Sequence, residues 1–123
     1  MAKNVRVLIV EDHDMARMGL SVVLGNNDKI EVIDMCADGQ DGVEKALDLI
    51  PDVVIMDIGL PTIDGIEATK RIKSQNSKIK VLMYTSREDD DDIFDSFKAG
   101  ADGYITKGAT SEQTVSAVLA VSE

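Results

Sequence analysis

The sequence predicts an α/β domain built on a doubly wound, five-stranded parallel sheet of order 2-1-3-4-5, with five helices distributed over both faces. Three observations carry this. Short apolar runs alternate with amphipathic, helix-like segments five times along the chain. The third and fourth runs are apolar almost throughout instead of alternating, the mark of strands covered on both faces. The 123 residues fill one such domain and leave no room for a second, so a single domain over 1–123 is expected.

The first strand is read in Val5–Val10, followed by a helix at about Asp14–Leu24 with Met15, Met18, Val22 and Val23 facing inward and Gly25 as its C-cap. A second strand spans Ile30–Cys36. The next helix carries Val43, Ala46, Leu47 and Ile50 at i, i+3, i+4 and i+7. The third strand is Val53–Met56, and a helix is expected over Gly65–Ser74. Val81–Tyr84 reads as the fourth strand, leading to a helix at Asp91–Ala99 with Ile93, Phe94 and Phe97 inward and Gly100 beyond its end. A weaker strand, Gly103–Ile105, precedes the last helix, which carries Val115, Val118 and Leu119. Thr110 and Gln113 have capping-box spacing at its start. Right-handed βαβ crossovers then favour the flavodoxin-like strand order.

Composition narrows the function. Thirteen Lys+Arg against twenty-three Asp+Glu give a net charge of −10, which makes the domain a poor polyanion binder. No direct nucleic-acid contact is expected. Cys36 is the only cysteine and His13 the only histidine, which excludes an internal disulfide and a Cys/His metal centre and points to a reducing, cytoplasmic setting. The opening apolar stretch is too short for a signal-peptide core or a membrane span.

In such a sheet ligands gather beyond the carboxyl ends of the strands, at the switch point between strands one and three. Strand one runs into Glu11-Asp12 and strand three into Asp57, so three carboxylates should converge. Mutual repulsion demands a cation, and oxygen ligands suit a hard ion such as Mg²⁺. Strand four delivers Thr85 and Ser86 to the same edge, and strand five delivers Lys107. Carboxylate, hydroxyl and ammonium together can process a phosphoryl group: cations neutralise its oxygens, Thr85 donates a hydrogen bond, and a carboxylate attacks to form an acyl phosphate. Asp57, at the end of a central strand, is the best-placed nucleophile; Glu11 and Asp12 suit the metal. Gly59 and Pro61 favour a loop that can turn a carbonyl toward that metal.

These residues resemble the receiver domain of two-component response regulators over essentially the whole chain. The acidic pair Glu11-Asp12, the acceptor position Asp57, Thr85 and Lys107 are all filled, and Leu60-Pro61, Asp64-Gly65 and Lys98-Ala99-Gly100-Ala101-Asp102-Gly103-Tyr104 match supporting motifs. The resemblance implies that Asp57 accepts a phosphoryl group from a phosphohistidine of a sensor histidine kinase. It implies Mg²⁺ on Asp12, Asp57 and the Gly59 carbonyl, with Glu11 behind them or acting through water. Lys107 would hold phosphoryl oxygens, while Thr85 and Tyr104 would switch and alter the face formed by the fourth helix, fifth strand and fifth helix. Gly108 stands after Lys107 where many receivers have a cis proline, so a trans, more flexible link is expected. That feature and the run Asp12-His13-Asp14-Met15-Ala16-Arg17-Met18-Gly19-Leu20 are similar to the nitrate-regulator/LuxR type, whose receivers precede a helix-turn-helix domain. DNA binding is therefore expected through a C-terminal domain outside this chain, and homodimerisation on phosphorylation is a family expectation. Gly59 and Arg87 flank the acceptor and bear on acyl-phosphate lifetime, Gly59 leaving the site open and Arg87 covering it.

Blander readings compete at single positions. Asp12 and Asp57 alone could be helix-cap acids, Lys107 a surface lysine, Thr85 a satisfied loop hydroxyl and Tyr104 a packed strand tyrosine. Their joint placement at one sheet edge disfavours this for the first four. The run from Glu88 to Asp92 reads as an acidic helix start. Met15, Met18, Met56 and Met83 read as core filler, Cys36 as a small buried hydrophobe, and His13 as a loop residue beside the metal without ligand duty. A flavodoxin-like cofactor binder would need a phosphate-cradling loop where Glu11-Asp12-His13-Asp14 stands. An aspartyl-phosphate phosphatase would carry a second aspartate at position 59. The expectation is a relay switch that catalyses only its own phosphorylation and dephosphorylation, the alternative being a stand-alone or phosphorylation-independent interaction receiver.

Overall fold

The computed structural model describes residues 4–86 and 89–123. Its elements alternate strictly: β1 (Val5–Val10), α1 (Asp14–Gly25), β2 (Ile30–Cys36), α2 (Gly39–Leu49), β3 (Val53–Met56), α3 (Gly65–Gln75), β4 (Lys80–Thr85), α4 (Asp90–Lys98), β5 (Gly103–Thr106) and α5 (Ser111–Ser122). All strand pairs are parallel and the order is β2-β1-β3-β4-β5, the predicted doubly wound sheet.

The period-2 geometry of the strands divides the core into two layers. Leu8, Val10, Val54, Met56, Val81 and Met83 point to the side packed with Val43 and Ala46 of α2 and Ala68 and Ile72 of α3. Val7, Ile9, Val53, Ile55 and Leu82 point to the other side, onto Leu20 and Leu24 of α1 and Val118 of α5. Both faces of β3 are buried, which explains its unbroken apolar run. Each fully buried aliphatic side chain contributes about 1.5–3 kcal/mol. In β2 the register steps from Val32 to Asp34 against consecutive β1 residues, so Ile33 is the extra residue of a bulge.

Helix starts follow the sequence. Asp38, Asp64 and Asp89 accept backbone N–H bonds as N-caps of α2, α3 and α4, and Thr110 with Gln113 forms the reciprocal capping box of α5. Asp90, Asp91 and Asp92 occupy the first turn of α4, where the helix dipole favours negative charge. Glu88 and Arg87 lie outside the described residues.

Several inward assignments are corrected. In α1 the buried stripe is Leu20 and Leu24, while Met15, Met18 and Val22 are 84%, 61% and 63% exposed. Apolar residues encircle this helix, so two stripes compete, and the spacing of Leu20 and Leu24 is the one aimed at the sheet. Met15 and Met18 are therefore not core filler, whereas Met56 and Met83 are fully buried. Gly25 is the last residue of α1 rather than its cap. Asn26 caps in right-handed conformation, its N–H donating to Val22 O. Ile50 leaves α2 at a left-handed φ of 49° and is exposed, beyond the buried stripe of Val43 and Ala46. In α4, Ser96 is buried and Ile93 half-buried, but Phe94 and Phe97 face outward. The Ser96 hydroxyl folds back onto the Asp92 carbonyl at 2.7 Å, so the small polar residue makes the close approach that the aromatic rings were expected to make.

Candidate acidic site at the carboxyl edge of the sheet

The first and third strands end side by side because the ladder continues past them. The Asp57 N–H donates to Val10 O at 3.0 Å, and the Glu11 N–H donates to Cys36 O at 3.0 Å. This places Glu11 and Asp57 at the switch point, both buried. Asp12 is half-buried beside them, and its buried Oδ1 has no hydrogen-bond partner among the described residues. Ligand atoms of Glu11, Asp12, His13 and Asp57 all lie within 4.8 Å of one another.

Lys107 completes the cluster. Its backbone N–H donates to Thr85 O at 2.8 Å, extending the β4–β5 pairing by one residue and fixing the direction of its side chain. Its ammonium pairs with Glu11 Oε1 and stands 3.3 Å from Asp57 Oδ2 and 5.8 Å from the centre of the Tyr84 ring. Asp57 Oδ1 accepts the Ile58 N–H at 2.8 Å. Three carboxylates against one ammonium leave an excess of two negative charges, and the cluster has the donor set that could hold a divalent cation.

The electrostatics follow from burial. Desolvation raises the pKa of Asp57, and the neighbouring Glu11 carboxylate raises it further, against the opposing pull of Lys107. For Lys107, burial disfavours the charge, but Glu11 and Asp57 together outweigh it and hold the ammonium above its ordinary value. Desolvation likewise raises Tyr84, with Lys107 acting the other way.

Of the remaining expected residues, Thr85, Ser86 and Gly59 sit at the same edge, and Tyr104 lies within β5, opposite Met83. Thr85 is buried, opposite Thr106 in register. Tyr104 is half-buried against the α2–α3 side of the core and borders a cleft of about 500 Å³ shared with Ile93, Ala109 and Gln113. Gly59 is exposed in the turn after Asp57, with open space where a side chain would project. Ser86 is exposed. No cis peptide bond occurs among the described residues, so Lys107–Gly108 is trans.

Two features, at Gly65 and Arg17, escaped the reading of the sequence, and a third, at His13, agrees with its expected place beside the acidic pair. Gly65 packs so closely under the loop after Asp57 that a Cβ there would stand 1.8 Å from Asp57 O, while its N–H donates to Ile58 O at 2.7 Å. The Asp64-Gly65 pair matches a supporting motif in the sequence, but its contact with Asp57 spans the loop and has no local signal. Arg17 donates from Nη1 to Glu11 O at 2.8 Å and pairs with Asp14 Oδ1 at 2.6 Å. The His13 Nδ1 lies 3.4 Å from Asp12 Oδ1 and 3.5 Å from Glu11 Oε2.

The profile of the response regulator receiver domain matches residues 7–119. The chain belongs to that family. It is 41% identical over 119 residues to the transcriptional regulatory protein LiaR of Bacillus subtilis, covering 97% of this chain and 56% of LiaR. It is 39% identical over 115 residues to the response regulator protein VraR of Staphylococcus aureus, covering 94% of this chain and 55% of VraR. The receiver therefore spans about half the length of these relatives. Among solved structures, the signal receiver domain of the response regulator NarL from Mycobacterium tuberculosis superposes with a TM-score of 0.95 at 26% identity, covering 98% of this chain and 97% of that one. This receiver is a signalling domain of two-component systems rather than a metabolic enzyme. No helix among its described residues is long and apolar enough to cross a membrane.

Proposed function

We propose that Asp57 is the phosphoacceptor of this receiver and that its phosphorylation switches the face formed by α4, β5 and α5. The observation that carries the reading is the Lys107 ammonium shared between buried Glu11 and Asp57, beside an Asp12 oxygen without a hydrogen bond among the described residues. Asp12, Asp57 and the Gly59 carbonyl would hold Mg²⁺, with Glu11 behind them. When bound, the ion supplies charge neutralisation for the phosphoryl oxygens.

The chain's own residues do the rest. A carboxylate oxygen of Asp57 attacks the phosphorus of a phosphohistidine on a sensor histidine kinase. The P–N bond breaks, the imidazole leaves with its electron pair, and an acyl phosphate remains on Asp57. Lys107 then exchanges part of its pairing with Asp57 for the phosphoryl oxygens. Thr85 donates its hydroxyl to the same group, and Tyr104 turns behind it toward the interior. Because the Lys107 N–H is bonded to Thr85 O, the two residues move as one edge. Water later returns the carboxylate, so the domain's catalysis is confined to its own phosphoryl group. The resemblance to the transcriptional regulator LiaR supports a role in transcription control; a cytoplasmic setting, DNA binding through a separate domain and homodimerisation on phosphorylation are parts of the same proposal.

Incubation with acetyl phosphate and Mg²⁺, followed by intact mass, tests the reading beside an Asp57→Asn control. One Mg²⁺-dependent, base-labile phosphoryl adduct, absent from the control, is expected. An unmodified wild type, even with phosphorylated histidine kinase as donor, would leave a phosphorylation-independent interaction domain.

A further inference from the structure

Two of the first amide groups of α2 are satisfied from outside the helix. The Gly39 N–H donates to Pro61 O at 3.1 Å, and the Gln40 N–H donates to Thr62 Oγ1 at 3.0 Å. The helix's own cap, Asp38 Oδ1, accepts the Asp41 N–H at 2.8 Å and the Thr62 hydroxyl at 3.2 Å. A helix leaves its first four N–H groups without intrahelical partners, and here the loop that follows Asp57 supplies two of the missing acceptors. The contact is close, since a Cβ at Gly39 would stand 2.0 Å from Ile63 O.

Thr62 makes this clasp from an unfavourable backbone conformation. Its φ is 70°, in the left-handed region, where a β-branched residue is strained and glycine is at ease. Such strain persists where surrounding contacts over-determine it, and the two bonds of the Thr62 hydroxyl are contacts of that kind. The residue is exposed, so burial of its methyl group does not account for a threonine at this turn. On its other side the loop is held by the Gly65 N–H on Ile58 O at 2.7 Å. Gly59, whose carbonyl belongs to the proposed metal ligands, lies in the chain between these two fixed points and has open space around it.

We propose that Thr62 is a positioning residue, whose hydroxyl ties the loop after Asp57 to the first turn of α2 and so fixes the Gly59 carbonyl for the divalent cation that assists phosphorylation. The inference rests on the phosphoacceptor reading of Asp57 and deepens it by naming what holds the loop. Thr62 acts through the loop backbone, not on the reacting atoms. Its strain and its bonds oppose each other in stability but not in positioning: glycine at this place relieves the φ while releasing the loop from α2.

Thr62→Gly and Thr62→Ser separate positioning from stability, because glycine accepts the left-handed φ without a hydroxyl and serine keeps the hydroxyl without the β-branch. Calorimetric titration with Mg²⁺ should show affinity about threefold to tenfold weaker in Thr62→Gly and within about twofold of the wild type in Thr62→Ser. Urea midpoints should differ little, since relief of strain offsets the lost bonds. Amide exchange at Gly39 and Gln40 should quicken in Thr62→Gly alone. Labelling by acetyl phosphate should need more Mg²⁺ in that variant and reach the wild-type rate once Mg²⁺ saturates. Mg²⁺ affinity in Thr62→Gly within about twofold of the wild type, or equally weak in Thr62→Ser, overturns the positioning role. Unaltered exchange at Gly39 and Gln40 in Thr62→Gly overturns the clasp itself. A wild type that takes up neither Mg²⁺ nor a phosphoryl group fails the reading of the acidic site instead, while the exchange comparison still decides whether the hydroxyl holds the loop.

Discussion

The Arg17 guanidinium reaches back from α1 to donate to the Glu11 carbonyl at 2.8 Å, and so ties the helix to the loop that carries the acidic pair. A second arm of the same group pairs with Asp14 at 2.6 Å, and the side chain is only 21% exposed, so the tether is held at both ends. Arg17→Ala should therefore loosen the Glu11–His13 turn rather than the fold, at a cost of about 1–2 kcal/mol for a charged hydrogen bond at a partly covered site. Mg²⁺ affinity and the rate of acetyl-phosphate labelling should both fall more than the urea midpoint suggests. Labelling kinetics of Arg17→Ala and Arg17→Lys check this: a Lys variant that keeps stability but loses rate assigns the effect to the two-armed geometry.

Asp57 is ionised at a cost to the metal-free fold, because burial and then Glu11 raise its pKa. A carboxyl group raised on folding binds its proton more tightly in the native state, so the native state gains stability as pH falls through the folded-state value toward the unfolded one, and loses it as pH rises back through the folded-state value. Urea unfolding without divalent ions should show the wild type gaining on Asp57→Asn as pH falls from neutrality toward the ordinary carboxylate value of 3.8. At pH 7 Asp57→Asn should be the more stable protein. Added Mg²⁺ should reverse that order, since only the wild type binds the ion fully. A wild type and variant that track each other across this range would remove desolvated charge as the source of the difference.

Most of the fold and the five site positions were legible because each depends on a local signal that the sheet repeats. Val53–Met56 and Val81–Tyr84 announce central parallel strands by unbroken apolar runs, and the residue after each strand must then stand at one edge. Helix facing was less legible where apolar residues surround the axis: Met15, Met18 and Val22 compete with Leu20 and Leu24, and only the sheet selects between the stripes. Phe94 and Phe97 failed for another reason, since the short Ser96 side chain lets α4 approach through a polar residue. Contacts such as Arg17 to the Glu11 carbonyl or Gly65 beneath Asp57 involve backbone atoms of another loop, and side-chain patterns carry no record of them.

At the opposite edge of the sheet, Lys73 and Asp102 clamp three elements. The Lys73 ammonium donates to Ser77 O at 3.0 Å, Ile79 O at 2.9 Å and Asp102 Oδ2 at 2.9 Å, while that same Asp102 oxygen accepts the Val81 N–H at 2.9 Å. The aliphatic stem of Lys73 packs against Gly100, whose φ of +108° suits no other residue. Lys73→Met keeps the stem and removes the charge, leaving two carbonyls and a carboxylate without their shared donor. A loss of about 2–3 kcal/mol in chemical unfolding is expected, with phosphorylation at the far edge unchanged. A variant that instead loses labelling while keeping its stability would place coupling between the two edges.

Cys36 offers a test of packing at the end of β2. The thiol is buried beneath α2, and desolvation, reinforced by Asp41, pushes its pKa up to about 12 from 9.0. The thiolate is the reactive species, so iodoacetamide should label the native protein slowly at pH 8 and rapidly in urea. The same shift fixes the direction of an alkaline effect. The neutral thiol is favoured by folding, so its contribution is complete below the unfolded value near 9 and is lost as pH rises toward about 12. Thermal melts of the wild type and Cys36→Ala at pH 8 and pH 10.5 isolate it from the lysines and tyrosines that titrate in both proteins. The wild type should lose more of its Tm over that interval than the variant, and equal losses would show that the thiol meets water in the native state.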